Sequence, residues 1–157
     1  MKSEILFTLL AGVLLASGCG LTTSTVSIPA GWSTQTDSGF SFRYPVDFGS
    51  EFITTVDWPP KITFQNGNFS CSGETHSIDG NDFCLNKTAE GAAGSVYSTY
   101  RYSREYNTQI LTLDFTIREP QCPNYPEPKI SQCTADQANL NLDSIVGTIV
   151  ASINFTK

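Results

Sequence analysis

Few side chains in this chain could do chemistry, and the single histidine is the first to consider. His76 has no Ser or Cys nucleophile motif around it. A Ser-His-Asp or Cys-His site would need this imidazole as its base. A lone histidine outside such a motif is more typical of a surface or packing position. The sequence therefore predicts no catalytic residue and no enzyme activity.

Two short segments have the composition of ligand loops without the full pattern. Asp79-Gly80-Asn81-Asp82 is rich in oxygen ligands, but the EF-hand spacing and its terminal glutamate are absent. A hairpin turn accounts for these residues without an ion. Gly91-Ala92-Ala93-Gly94 lacks the Lys-Ser/Thr that completes a phosphate loop. We expect no metal and no cofactor.

The cysteines divide into Cys19 and a later group of four. An even number in an exported domain favours disulfides. Three pairings of the later four are open, and sequence neighbours form the simplest one. The alternative is a four-thiolate zinc site, which is disfavoured because no C-x-x-C pair occurs. The expected pairs are Cys71 with Cys84 and Cys122 with Cys133.

Residues 1–18 have the pattern of a signal peptide. Lys2 gives a positive start, and the apolar run Ile5 to Ala16 is too short to span a bilayer. The following Leu15-Ala16-Ser17-Gly18-Cys19 resembles the bacterial lipoprotein signal, which is cut before the cysteine. The resemblance implies fatty acyl chains such as palmitate on Cys19, a tether over residues 19–27 and a domain over residues 28–157. A secreted protein without lipid is the alternative.

Charge and size narrow the classes of partner. Removing Lys2 and Glu4 with the leader leaves the net charge at −6. The sequence has no cluster of Lys and Arg residues that would form a basic patch, which argues against nucleic-acid binding. Lipid on Cys19 would then be the main membrane contact. The mature length fits one domain, expected as a monomer that is exported and held at the cell membrane.

Alternating residues predict the first strands. Phe40, Phe42 and Tyr44 share one face of a strand that Pro45 ends, after a turn at Asp37-Ser38-Gly39. We expect Trp58-Pro59-Pro60 to be a rigid connection between strands. Ile62 to Phe64 is the next short strand.

Two hairpins form the centre of the predicted sheet. Asp79-Gly80 is a strong turn signal for a hairpin over residues 75–85. A second turn at Tyr106-Asn107 would place Tyr102 opposite Leu111 and Tyr100 opposite Leu113. That register puts the apolar residues of both strands on one face.

The last third of the sequence predicts a loop and then a helix. Residues 119–134 contain four prolines and read as a long loop that a Cys122–Cys133 bridge would hold. Apolar residues then recur at helical spacing from Leu142 to Ile153, with Asn141 as a cap. Asn154-Phe155 could return as an edge strand. The predicted fold class is α+β: an antiparallel β-sheet covered by a C-terminal α-helix.

Several of these segments resemble PsbP-like domains. Gly39-Phe40-Ser41-Phe42-Arg43-Tyr44-Pro45 resembles their opening motif, and Ser152-Ile153-Asn154-Phe155 their ending. Gly94-Ser95-Val96-Tyr97 and the Cys122 to Cys133 segment are similar to a subgroup of uncharacterised bacterial envelope proteins. The resemblance implies an α/β sandwich with an accessory or binding role and no shared catalytic set.

The expected function follows from the predicted lipid anchor and from the lack of a catalytic motif in the sequence. We expect a lipid-anchored, non-enzymatic accessory or binding module at the bacterial cell envelope, with an envelope protein as its partner. Tryptophan and tyrosine are enriched where proteins bind partners, and the candidate contacts are Trp32, Trp58 and Tyr125. The alternative function is a protein inhibitor of a secreted hydrolase that acts through residues 120–133.

Overall fold

The computed structural model describes residues 30–156, which form an α+β domain. The predicted signal peptide (residues 1–18), the predicted acylation site Cys19 and the predicted tether (residues 19–27) lie outside the described residues. The elements in chain order are β1 (Trp32–Asp37), β2 (Phe40–Pro45), β3 (Thr54–Gln65), β4 (Glu74–Ile78), β5 (Asn81–Ala92), β6 (Ser95–Tyr106), β7 (Gln109–Pro120), a 3₁₀ turn (Cys122–Asn124), α1 (Lys129–Asn139), α2 (Leu142–Ala151) and β8 (Asn154–Phe155).

The strands form two antiparallel sheets where the sequence predicts one. The order is β1-β2-β8 in the smaller sheet and β3-β7-β6-β5-β4 in the larger. The α+β class and the covering helix are confirmed. One core joins β2, the inner face of the larger sheet and α2, because Phe42, Leu113 and Ile149 belong to the same buried cluster.

The β6–β7 hairpin has the predicted faces and a different register. Its turn is Asn107-Thr108, and both residues have positive φ, as a type I′ hairpin turn requires. Tyr102 therefore pairs with Leu113, two residues beyond its predicted partner Leu111. A shift of two keeps every side chain on its own face. The apolar residues remain inside for that reason.

Trp58-Pro59-Pro60 lies inside β3, so the predicted connection is wrong. β3 is an edge strand that pairs only with β7, and the pairing is irregular between Asp57 and Lys61. Proline is tolerated at edges and bulges, where no ladder donor is lost. The strand therefore continues through both prolines to Gln65.

The predicted loop over residues 119–134 is also wrong. β7 runs to Pro120, and α1 begins at Lys129 after a cis Glu127–Pro128 bond. All four prolines precede the helix, and none interrupts it. The bridge between Cys122 and Cys133 is present, with its Cα atoms 5.6 Å apart. Both cysteines are buried against Phe52.

The second predicted pairing is also present. Cys71 and Cys84 are bonded, with Cα atoms 5.3 Å apart. Thr75 pairs with Cys84 as the hairpin turn at Asp79-Gly80 predicts. Two disulfides indicate an oxidising, extracytoplasmic compartment.

Helix α2 begins and packs as predicted. The Asn141 side chain accepts a hydrogen bond from the backbone N–H of Ser144 at 3.0 Å, which satisfies one free donor of the first turn. Val146 and Ile149 are fully buried under the helix. Gly147 lets it approach β4, since a Cβ there would lie 2.8 Å from the Ile78 side chain.

Candidate functional site

A cleft lies between the inner face of the larger sheet and the segment from Pro120 through α1 to the start of α2. It has two adjoining lobes with volumes of about 610 Å³ and 550 Å³. Lys87, Glu119 and Gln137 line both lobes, so they stand where the two meet. Clefts of this size, with a few polar groups on an apolar lining, are typical of small-ligand and peptide sites.

Lys87 places a positive charge on the floor of the cleft. It pairs with Tyr100 across β5 and β6, and its ammonium lies 4.9 Å from the centre of the Tyr100 ring. The contact with Tyr100 raises the pKa of Lys87 and outweighs the lowering effect of burial, with a smaller contribution from Glu119. Lys87 is therefore a cation held in place over an aromatic ring.

Glu119 and Gln137 close the opposite side. Glu119 comes near the end of β7 and is half-buried. Among the described residues it forms no salt bridge. Gln137 on α1 donates a hydrogen bond to the carbonyl of Pro120 at 2.8 Å, which fixes the helix over the strand end. The junction thus presents an ammonium and a carboxylate to an incoming ligand.

The two lobes differ in character. The first, which we name the polar lobe, is lined by Tyr100 and by the α1–α2 junction, including Asn139, Asn141 and Asp143. The second, which we name the apolar lobe, is lined by small and apolar residues. These include Ala89, Val96, Pro120, Cys122 and Pro123. A ligand spanning both would carry one polar end and one apolar end.

A hydrogen-bonded trio stands at the end of the polar lobe. His76 Nδ1 lies 2.8 Å from Asp143 Oδ2, and the Tyr102 hydroxyl donates to Asp143 Oδ1 at 2.8 Å. The second ring nitrogen of His76 lies 3.6 Å from Glu74. The three residues come from β4, β6 and α2. The trio therefore ties the first turn of α2 to the sheet.

The trio holds a fixed charge pattern. The hydrogen bond to Asp143 raises the pKa of His76 more than burial lowers it, so the imidazolium is favoured. Burial, and then the bond to Asp143, raise the pKa of Tyr102 far above its ordinary value. Its phenol is a neutral donor at any physiological pH. Among residues 30–156, the side-chain partners of His76 are the carboxylates of Asp143 and Glu74.

The residues proposed as partner contacts lie elsewhere. Trp32 packs against the main core, half-buried. Trp58 donates its indole N–H to the Pro45 carbonyl at 2.7 Å, and Tyr125 packs edge-on against Phe52. None of the three lines either lobe. Their role in binding stays a prediction.

Sequence reasoning missed the cleft residues, although one signal was available. On the inner face of β5 the alternation Phe83, Leu85 is followed by Lys87, which breaks an apolar series with a charge. Because Lys87 is solvent-exposed, this break in the series marks where the inner face of β5 leaves the core and borders the cleft. Glu119 carries the same signal, because it follows the apolar series from Leu111 to Ile117 on the inner face of β7. Gln137 carries no comparable signal, since its position depends on α1.

Comparisons with protein-family models, with curated proteins and with solved structures find no match for this chain. Within residues 30–156, no helix is long and apolar enough to cross a membrane. The same residues contain no His, Cys, Asp and Glu group arranged to hold a metal ion.

Proposed function

We propose that this chain is a lipid-anchored binding module outside the cytosol, and that the cleft between the larger sheet and α1 is its ligand site. The observation that carries the proposal is the junction of the two lobes. There Lys87 and Glu119 offer opposite charges beside a buried aromatic floor. Charged groups held at a concave surface bind a partner with little loss of side-chain freedom.

The cellular setting is part of the same proposal. Two disulfides favour an oxidising compartment. The sequence before residue 30 supplies the leader and the acylation site at Cys19. A PsbP-like origin, with an accessory role at the envelope, agrees with the α+β architecture and with the resemblance at residues 39–45.

The module is proposed to bind without turnover. Both ring nitrogens of His76 face carboxylates, Nδ1 that of Asp143 and Nε2 that of Glu74, so neither is directed at a nucleophile. No histidine lines either lobe. The inhibitor alternative would still act through the disulfide-held, proline-rich residues 120–133, which contain a 3₁₀ turn and part of α1 in place of a continuous loop.

Crosslinking from inside the cleft tests the proposal. Val96 lines the apolar lobe, and its neighbour Tyr97 points to the opposite face of β6; both are half-buried. A photoreactive diazirine side chain is placed at each position in turn, in cells that produce the full chain. We expect an adduct from position 96 and none from position 97. Equal adducts from both, or none from position 96, would overturn the proposal.

A further inference from the structure

The outer half of β5 is a free sheet edge beside the cleft. β4 pairs with β5 only as far as Glu74 and Leu85, whereas β5 continues to Ala92. No other described segment hydrogen-bonds to the backbone of residues 86–92 on that side. Unpaired backbone groups along an edge are a template for another strand.

The hairpin turns determine which groups face outward. Asp79-Gly80 and Ala93-Gly94 both have positive φ at their two residues, so each flanking pair is a hydrogen-bonded one. Even-numbered residues of β5 consequently bond to β6, and odd-numbered residues face β4. Beyond the end of β4, the free N–H and C=O groups are those of Lys87, Ala89 and Gly91.

The side chains of Lys87 and Ala89 line the cleft, and Gly91 lies on the same face of β5. Lys87, Ala89 and Gly91 pair with Tyr100, Ser98 and Val96 on β6, which form the inner face. A strand added at this edge would therefore direct every second side chain toward the lobes. The other long edge of this sheet, β3, carries Pro59 and Pro60 and an irregular pairing, features that discourage strand addition.

We propose that the occupant of the cleft is an extended peptide segment of a partner, which adds to the edge of β5 as an antiparallel strand at Lys87, Ala89 and Gly91. Charge complementarity decides its chemistry. The inward ammonium of Lys87 disfavours an apolar residue opposite it and favours a carboxylate. Small apolar residues face Ala89 and Gly91, and polar residues alternate with them. This inference rests on the proposed function of the cleft.

The probe is the capped heptapeptide acetyl-Thr-Val-Thr-Val-Thr-Asp-Thr-amide. In an antiparallel register its two valines face Gly91 and Ala89, and its aspartate faces Lys87. Amide hydrogen exchange of the disulfide-bonded domain is followed by NMR with peptide up to about 1 mM, the range of weak association. We expect the amides of residues 87, 89 and 91 to exchange fast without peptide and to become protected with it. The amides of residues 86, 88 and 90 are protected throughout.

Matched variants separate backbone pairing from side-chain contact. Ala89→Pro removes one outward N–H without touching the β6 ladder, and we expect the dissociation constant to rise by roughly tenfold or more. Thr88→Ala, on the solvent face, is the control and leaves it unchanged. The Lys87→Glu protein is expected to lose affinity for the aspartate peptide. It is expected to bind a peptide that has lysine in place of the aspartate.

Three results overturn the inference. One is the absence of new protection at residues 87, 89 and 91 with either peptide. Another is equal protection of odd and even amides. The third is concentration-dependent protection in the free protein, which would show a second copy at this edge. A position-96 adduct in cells together with any of these leaves the cleft as a binding site and removes only the strand addition.

Discussion

Asp143 joins the first turn of α2 to two strands of the larger sheet. Its carboxylate accepts from His76 and from Tyr102, each at 2.8 Å. A hydrogen bond to a charged acceptor contributes more than one between neutral groups. The start of α2 borders the polar lobe through Asn141 and Asp143. The trio therefore supports the shape of the candidate site.

The first prediction concerns Tyr102. Tyr102→Phe keeps the buried ring and removes the hydroxyl that donates to Asp143, so we expect the free energy of unfolding to fall by about 1.5–3 kcal/mol. Urea denaturation measures the change. The matched control is Tyr97→Phe on the opposite face of β6, expected within about 0.5 kcal/mol of the parent. Equal effects of the two substitutions would remove the role assigned to Asp143.

The second prediction concerns the pH dependence that His76 creates. Its folded-state pKa is raised above the ordinary value of 6.5, so its stabilising ion pair is complete below that value. The contribution is lost as the pH rises through the raised pKa. Between about pH 6 and pH 8, we expect the free energy of unfolding of the unsubstituted protein to fall by about 0.5–1 kcal/mol relative to that of the His76→Gln protein.

The comparison of the two proteins across that range is the measurement. Unfolding in urea at several pH values gives the difference directly, and the shared carboxylates cancel in it. A parent that gains stability over His76→Gln as the pH rises would contradict the ion pair.

At the scale of elements, the Cys122–Cys133 bridge holds α1 over the cleft. Both cysteines are buried with Phe52, whereas Cys71 of the other bridge is exposed. Replacing Cys122 and Cys133 by alanine is expected to cost about 3 kcal/mol from loop entropy, with a further cost from lost packing. The Cys71–Cys84 bridge closes a loop of similar length, and only Cys84 of this pair is buried. The Cys71→Ala, Cys84→Ala double substitution should therefore cost less.

Thermal unfolding of the two double variants checks this order. The far-UV circular dichroism of the Cys122→Ala, Cys133→Ala protein should also show a loss of helix from α1. A smaller effect than that of the Cys71→Ala, Cys84→Ala pair would contradict the packing role of the buried bridge.

Local patterns in the sequence were sufficient for some elements and insufficient for others. The Asp79-Gly80 turn and the Asn141 cap involve neighbours in the chain, and both were predictable. The predicted register of β6 on β7 was wrong by two residues. A shift of two preserves the apolar pattern, so only the position of the turn at Asn107-Thr108 determines the register. Face assignment is therefore more secure than pairing.

The missed helix and the missed cleft have a common physical cause. Helix α1 buries Cys133 and little else, so its apolar signal is weak, and the four prolines before it suggest a loop. Proline is compatible with the first turn of a helix. The cleft depends on where α1 lies. The meeting of Lys87 with Glu119 and Gln137 was consequently beyond reach of pattern alone, and so was the trio around Asp143.

At the scale of the whole molecule, the anchor and the domain can be tested separately. From the resemblance to a lipoprotein signal, we expect the mature protein to begin at Cys19 with fatty acyl chains on that residue. Two such chains would hold the protein stably at a membrane. Mass spectrometry of the N-terminal peptide measures this. Cys19→Ser should move the protein from the membrane fraction without changing its disulfides. An unmodified thiol at a mature Cys19 would contradict the lipid anchor and favour the alternative of a secreted protein without lipid.

Binding of a partner in the cleft is the proposal on which the function of this protein rests. Crosslinking yields from positions 96 and 97 of the full chain, compared in the same cells, test it most directly, because the two side chains are adjacent in sequence and lie on opposite faces of β6. We expect adducts from position 96 alone. Adducts from position 97 in equal yield, or no adduct from position 96, would contradict binding in the cleft.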